Sequence, residues 1–109
     1  MSLRAEVTDV AGRAVVVLAG SVDLSTVPTL QNALARAVVE HAGEVVAVDL
    51  DAVDTVDDVA LGILLGAAGR ARRSGGDVVI VCATEHLREK FTLTGLDRAI
   101  TVTTSLAKL

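Results

Sequence analysis

Aromatic side chains are nearly absent from this chain: Phe91 stands alone, with no tryptophan and no tyrosine among 109 residues. Without flat rings to stack on bases or sugars, the composition argues against single-strand nucleic-acid modules and aromatic carbohydrate sites. Cysteine is equally scarce. Cys82 has no second thiol, which excludes a disulfide framework, a CxxC redox pair and a multi-thiolate metal site. Positive charge is in the minority: ten Lys and Arg face fourteen Asp and Glu, a net charge of −4, the wrong sign for a phosphate backbone. Only Arg70, Arg72 and Arg73 cluster, where the end of a helix favours cations. The longest apolar stretch, residues 59–69, falls well short of the ~20 that span a bilayer, and the N-terminus lacks a signal-peptide pattern. The expectation is a cytoplasmic protein with no direct membrane insertion and no nucleic-acid partner.

What is present is aliphatic. With 51% apolar residues, the chain has material for one core, and residues 1–109 read as a single domain. Val, Leu, Ile and Ala must supply the packing that offsets about 1–2 kcal/mol of backbone ordering per residue.

Residues 3–10 alternate, Ala11-Gly12 turns the chain, and residues 14–19 form a continuous apolar run closed by Gly20, which predicts a β-hairpin. Ser25 or Thr26 then caps a helix that tolerates Pro28 in its first turn, and Val27, Leu30, Leu34 and Val38 recur at helical spacing. Ala42-Gly43 stops it. Residues 44–50 read as a buried parallel strand, and residues 51–56 as an acidic loop. Asp57 is placed to cap a second helix from Asp58 to Arg73, ended by Ser74-Gly75-Gly76. Residues 77–82 repeat the buried-strand pattern, a short helix from Thr84 carries Leu87 and Phe91, Thr94-Gly95 breaks it, and residues 99–103 are expected to be the last strand. Residues 105–109 could begin a terminal helix only by docking elsewhere. The order β-β-α-β-α-β-α-β predicts an α/β class with a mixed, mostly parallel sheet and right-handed β-α crossovers.

Four segments in this order resemble the STAS family: Gly20-Ser-Val-Asp-Leu-Ser, Val46-Ala-Val-Asp-Leu, Val56-Asp-Asp-Val-Ala-Leu-Gly-Ile-Leu-Leu and Leu93-Thr-Gly-Leu-Asp-Arg. The resemblance is to the anti-sigma factor antagonists of bacterial partner switching. It implies a non-enzymatic module that docks an anti-sigma factor or related histidine-kinase-like ATPase protein. The family pattern before the second helix is Asp-Ser-Ser-Gly-Leu-Gly. Matched residue by residue, Asp57 falls on the Asp, Asp58 on the serine that is phosphorylated, Val59 on the next serine, Ala60 on the glycine, and Leu61-Gly62 on Leu-Gly. The phosphoacceptor is therefore missing, and the resemblance implies an antagonist not regulated by phosphorylation there. The partner-binding residues expected from this match and its surroundings are Asp23, Ser25, Asp57, Asp58, Val59, Ala60, Gly62 and Ile63. The family's other implication is a STAS subunit docked on the ATPase of a lipid-type ABC transporter.

Physical chemistry gives Asp58 a plainer role beside that one, since a carboxylate in the first turn of a helix is favoured by about 0.3–1 kcal/mol. The second helix is apolar on more than one side: Leu61, Leu64, Leu65 and Ala68 form one stripe, Val59, Ile63 and Ala67 another. One stripe must face the sheet, which leaves the other for a loop or a partner. The small residues Ala60, Gly62, Gly66 and Gly69 permit close approach, at a cost of about 1 kcal/mol of helix propensity per glycine.

Asp23, Asp49, Asp51, Asp54, Asp57 and Asp58 are expected near the carboxyl ends of the strands. A receiver-like magnesium site would also need a phosphoacceptor Asp at a strand end and a later lysine, and the fourth strand ends in Val81-Cys82. Solvated caps are the ordinary reading, and no metal or cofactor is expected. Thr55 and Ser25 are the hydroxyls nearest the switch position and so the candidates for an alternative phosphorylation site; neither matches the acceptor position, and turn or capping roles explain both. His41 and His86 share no motif with a nucleophile, and the glycines form neither GxGxxG nor GxxxxGK[ST], so no enzymatic machinery is visible.

Overall fold

In the computed structural model, which describes residues 2–109, the hairpin forms as its turn chemistry requires. Strand β1 (Leu3–Val10) and strand β2 (Arg13–Val22) are joined by Ala11 and Gly12, both at positive φ (53° and 83°). That is the geometry matching the twist of a two-residue hairpin, and the Asp9 carboxylate accepts from the Gly12 amide at 2.9 Å. Gly20 does not close β2. It sits inside the strand at φ 118°, where a Cβ would overlap the Ser2 carbonyl. Only glycine fits.

A 3-10 turn (Leu24–Thr26) leads into helix α1 (Val27–Glu40), with Pro28 in its first turn and Leu30, Leu34, Ala37 and Val38 buried. Strand β3 (Val45–Val56) follows, then helix α2 (Asp58–Arg73) and strand β4 (Asp77–Val81). Helices α3 (Glu85–Thr94) and α4 (Leu96–Ala99) meet at Gly95, a left-handed joint at φ 79°, and strand β5 (Val102–Thr103) closes the sheet. The strand order is β1-β2-β3-β4-β5; β1 is antiparallel to β2 and the rest are parallel. This is the single α/β domain with a mixed, mostly parallel sheet that the pattern predicts.

Two expectations are corrected. Residues 51–56 are not a loop: they extend β3, and two register shifts against β2 accommodate the extra residues while Val53 and Val56 stay buried. The aspartates that imitate a turn, Asp51 and Asp54, are exposed residues left over at the two shifts. The last strand does not start at residue 99. Ala99 ends α4, because Gly95 lets a helix resume so that Leu96 and Ile100 reach the core, leaving a two-residue strand.

All the α-helices pack on one face of the sheet, over Val16, Leu18, Val46, Val48, Val78 and Ile80. The other face carries a smaller cluster, Val15, Ala47, Val79 and Val81, against which Leu106 packs. Leu106 belongs to a 3-10 turn (Leu106–Lys108), so the terminal segment docks without forming an α-helix.

Candidate functional site

Val22 and Val56 lie side by side at the ends of parallel strands, and the amide of Asp57 donates to the Val22 carbonyl at 2.9 Å. The two chain exits are thereby tied together, and the site grows from them: β2 runs into Asp23, β3 into Asp57 and Asp58.

The Asp23 carboxylate accepts from the Ser25 hydroxyl at 2.6 Å, the Ser25 amide at 2.9 Å and the Thr26 amide at 3.2 Å, all on Oδ1. Thr26 Oγ1 in turn accepts from the Asp23 amide at 3.0 Å and donates to the Ser21 carbonyl at 2.9 Å. This reciprocal box satisfies amides that the start of a helix leaves unpaired. The hydroxyl of Ser25, helped by the backbone donors of Ser25 and Thr26, holds the Asp23 carboxyl below its ordinary value against the opposing effect of desolvation. A fixed, oriented negative charge results. Leu24, next to it, is 75% exposed.

Asp57 occupies the cap position of α2 but makes no side-chain capping bond, and Asp58 is the first helical residue. Asp58 Oδ1 lies 3.1 Å from Lys90 Nζ, with the carboxylate side chain 87% exposed and the lysine 32%. The same ammonium donates to the Val56 carbonyl. One turn earlier on α3, His86 Nε2 bonds the Asp54 carbonyl at 2.9 Å. These contacts have a common origin. β4 pairs with β3 only as far as Asp49, so the rest of β3 overruns it. Side chains of α3 stand in for the missing strand, helped by the Ala83 amide, which donates to Asp51 at 2.7 Å.

On α2, Ala60, Leu61, Leu64, Ala67, Ala68 and Ala71 face the core. Val59, Gly62, Leu65 and Gly66 are exposed and Ile63 is half-buried, so the apolar residues split across both stripes read from the sequence. Nothing lies within 4 Å of where a Cβ on Gly62 would stand. Its glycine therefore has no packing reason inside the chain. Asp23, Ser25, Asp57, Asp58 and Val59 come together at the carboxyl-terminal ends of β2 and β3, with Gly62 and Ile63 a turn further along. Ala60 is the correction: it is fully buried, with its methyl group turned to the core and beyond a partner's reach.

Lys90 and His86 are missed by sequence reasoning, because no motif joins them to the acidic segment. Their spacing of one helical turn after a buried parallel strand is the signal that could have found them. The wider acidic set does not converge: among the described residues, no three acidic, His or Cys side chains are placed to hold a metal ion. Asp49 accepts the Asp51 amide at 2.9 Å instead. No described helix is long and apolar enough to cross a membrane.

The family model described as the STAS domain matches residues 3–109, and the chain belongs to that family. An anti-sigma factor antagonist from Mycobacterium paratuberculosis superposes with a TM-score of 0.88 at 28% identity, over 98% of this chain and 90% of that one. The anti-sigma factor antagonist SpoIIAA in its unphosphorylated form gives 0.76 at 17% identity, over 96% and 92% of the two chains. The phosphorylated form of the Bacillus cell fate determinant SpoIIAA gives 0.66 at 17%, over 96% of both. The last two show the shared fold alone. No curated protein matches the sequence.

Proposed function

We propose that this STAS domain is a cytoplasmic protein-interaction module of the anti-sigma factor antagonist type. It docks an anti-sigma factor of the histidine-kinase-like ATPase class through Asp23, Ser25, Asp57, Asp58, Val59, Gly62 and Ile63. It catalyses no reaction of its own and is not switched by phosphorylation at the usual serine position, which Asp58 occupies. The observation that carries this reading is the free flank of the first two turns of α2, apolar at Val59 and bare at Gly62, beside the fixed carboxylate of Asp23. A strip of that kind suits a transient signalling contact of roughly 1,200 Å² or less, with the apolar part giving affinity and the carboxylates partner choice. Asp58 mimics a phosphoserine poorly: it brings one charge where a phosphate brings about −1.5 to −2, and the ammonium of Lys90 offsets part of it.

The test is calorimetric titration of the purified chain with anti-sigma kinases encoded beside it in its source genome, using wild type, Asp58→Ser and Gly62→Trp. Wild type should bind whether or not ATP has been supplied. Asp58→Ser should bind until ATP is added and then release, and Gly62→Trp should lose at least tenfold in affinity. Absence of binding to any such kinase overturns the reading, and binding to the ATPase of a lipid-type ABC transporter would transfer the same face to that partner class.

A further inference from the structure

The two edges of the sheet differ. β5 is two residues long and offers almost no backbone, whereas β1 is eight residues long and pairs with β2 without a single register shift. No proline or bulge, two of the devices that protect an edge strand, interrupts β1, and its charges, Arg4, Glu6 and Asp9, are of both signs rather than one. The phase of its ladder follows from the Ser21 amide donating to the Ser2 carbonyl at 3.0 Å. In an antiparallel pair the bonded residues alternate, so even-numbered residues of β1 bond to β2 while Leu3, Ala5, Val7 and Asp9 turn their N–H and C=O groups outward. Arg4, Glu6 and Val7 are exposed, and among the described residues neither Arg4 nor Glu6 takes part in an ion pair. Between β1 and α1 runs an open groove of about 760 Å³, lined in part by Val7, Asn32, Ala33 and Arg36.

We infer that this edge pairs with β1 of a second copy, antiparallel about a two-fold axis at Ala5. The charges select the register. An axis through Glu6 would set the two Glu6 side chains directly opposite each other, and one through Arg4 would do the same with two cations; both are destabilising. An axis through Val7 places Arg4 opposite Val10 and gains nothing electrostatic. An axis at Ala5 places Arg4 opposite Glu6 of the copy, twice, in the non-hydrogen-bonded positions where side chains come closest. On the other face the exposed Val7 lies opposite Leu3 of the copy. Leu3, Ala5 and Val7 then exchange backbone bonds across the axis, and the groove beside α1 leaves room for the incoming side chains. A second copy is the occupant this strand fits, because its own charge order is the complement of itself reversed.

The proposal does not depend on the docking reading. Sedimentation equilibrium of the whole chain over micromolar to millimolar concentration tests it. Wild type should be in monomer–dimer equilibrium, weakened by salt. Arg4→Glu and Glu6→Arg should each raise the dimer dissociation constant tenfold or more, and the double exchange Arg4→Glu/Glu6→Arg should restore it. Ala5→Pro removes an outward amide without touching the β1–β2 ladder, and should give a monomer that unfolds cooperatively. A wild type that stays monomeric throughout, or a dimer indifferent to the charge exchanges, overturns the proposal.

Discussion

The ammonium of Lys90 lies 3.1 Å from the carboxylate of Asp58 and also holds the carbonyl of Val56, so the last residue of β3 and the first of α2 share one cation supplied by α3. Asp58 is therefore not a bare acid at a helix end. It is anchored from a third element, and that anchoring can be measured.

Replacing Lys90 with Met should destabilise the domain by about 0.5–1.5 kcal/mol, because it removes an exposed ion pair and a charge-assisted bond to a carbonyl that water reaches only in part. Asp58→Asn should cost less. Urea unfolding of both single variants and the double should give a coupling of about 0.2–1 kcal/mol that fades with salt. A coupling of zero at low salt would show that the pair does not form in solution.

Asp23 makes stability depend on acid. Its folded carboxyl lies below the ordinary value of 3.8, so the contribution is complete above that pH and disappears as the pH falls through the folded value. Wild type should melt above Asp23→Asn at neutral pH, and the gap should narrow in strong acid. A gap that widens on acidification would contradict the bonding described.

Glycines at two positions should respond with opposite sign. Gly62→Ala meets empty space on a helix and should stabilise by about 0.5–1 kcal/mol. Gly20→Ala meets the Ser2 carbonyl from a positive φ and should cost about 2 kcal/mol or more. If Gly62→Ala also weakens binding to the partner, stability and docking compete for that position.

Phe91 is completely buried, and Phe91→Ala should cost about 3–5 kcal/mol in urea unfolding. Cys82 reports on the same core. Burial pushes its thiol up, which leaves it protonated at neutral pH and shielded. A disulfide reagent should label it only as fast as the chain opens; immediate labelling of the folded protein would show a mobile core at that strand end.

The elements carried by strong apolar periodicity were legible: the hairpin, α1, α2, α3 and the start of β3 all follow from spacing and caps. What failed were places where tertiary pairing overrules local chemistry. Asp51 and Asp54 look like turn formers, but they are residues that the two register shifts leave over while Ala52, Val53, Thr55 and Val56 pair with β2. Ala99 reads as strand because its neighbours are β-formers, yet Gly95 restarts a helix that serves Leu96 and Ile100. In the candidate site, Asp57 and Asp58 follow from helix capping, whereas Asp23 follows only from the resemblance: local chemistry puts the cap on Ser25 or Thr26, and the structure gives it to Asp23. Lys90 follows from neither, since its relation to Asp58 exists only once α3 has folded over the overrun of β3. The burial of Ala60 is not legible either, because a methyl group gives no hint of which side of a two-sided apolar helix it occupies.

The far face of the sheet has a different vulnerability from the helical side. Val15, Ala47, Val79 and Val81 have Leu106 as their covering side chain from the terminal turn, where the opposite face has four helices. Cleavage that removes the turn carrying Leu106 would bare a patch of valines on an otherwise intact molecule. Such a molecule would keep the proposed docking site and its helical signal in circular dichroism while becoming sticky and prone to precipitate. Loss of solubility and loss of recognition would then be separate events in this domain, governed by opposite sides of one wall.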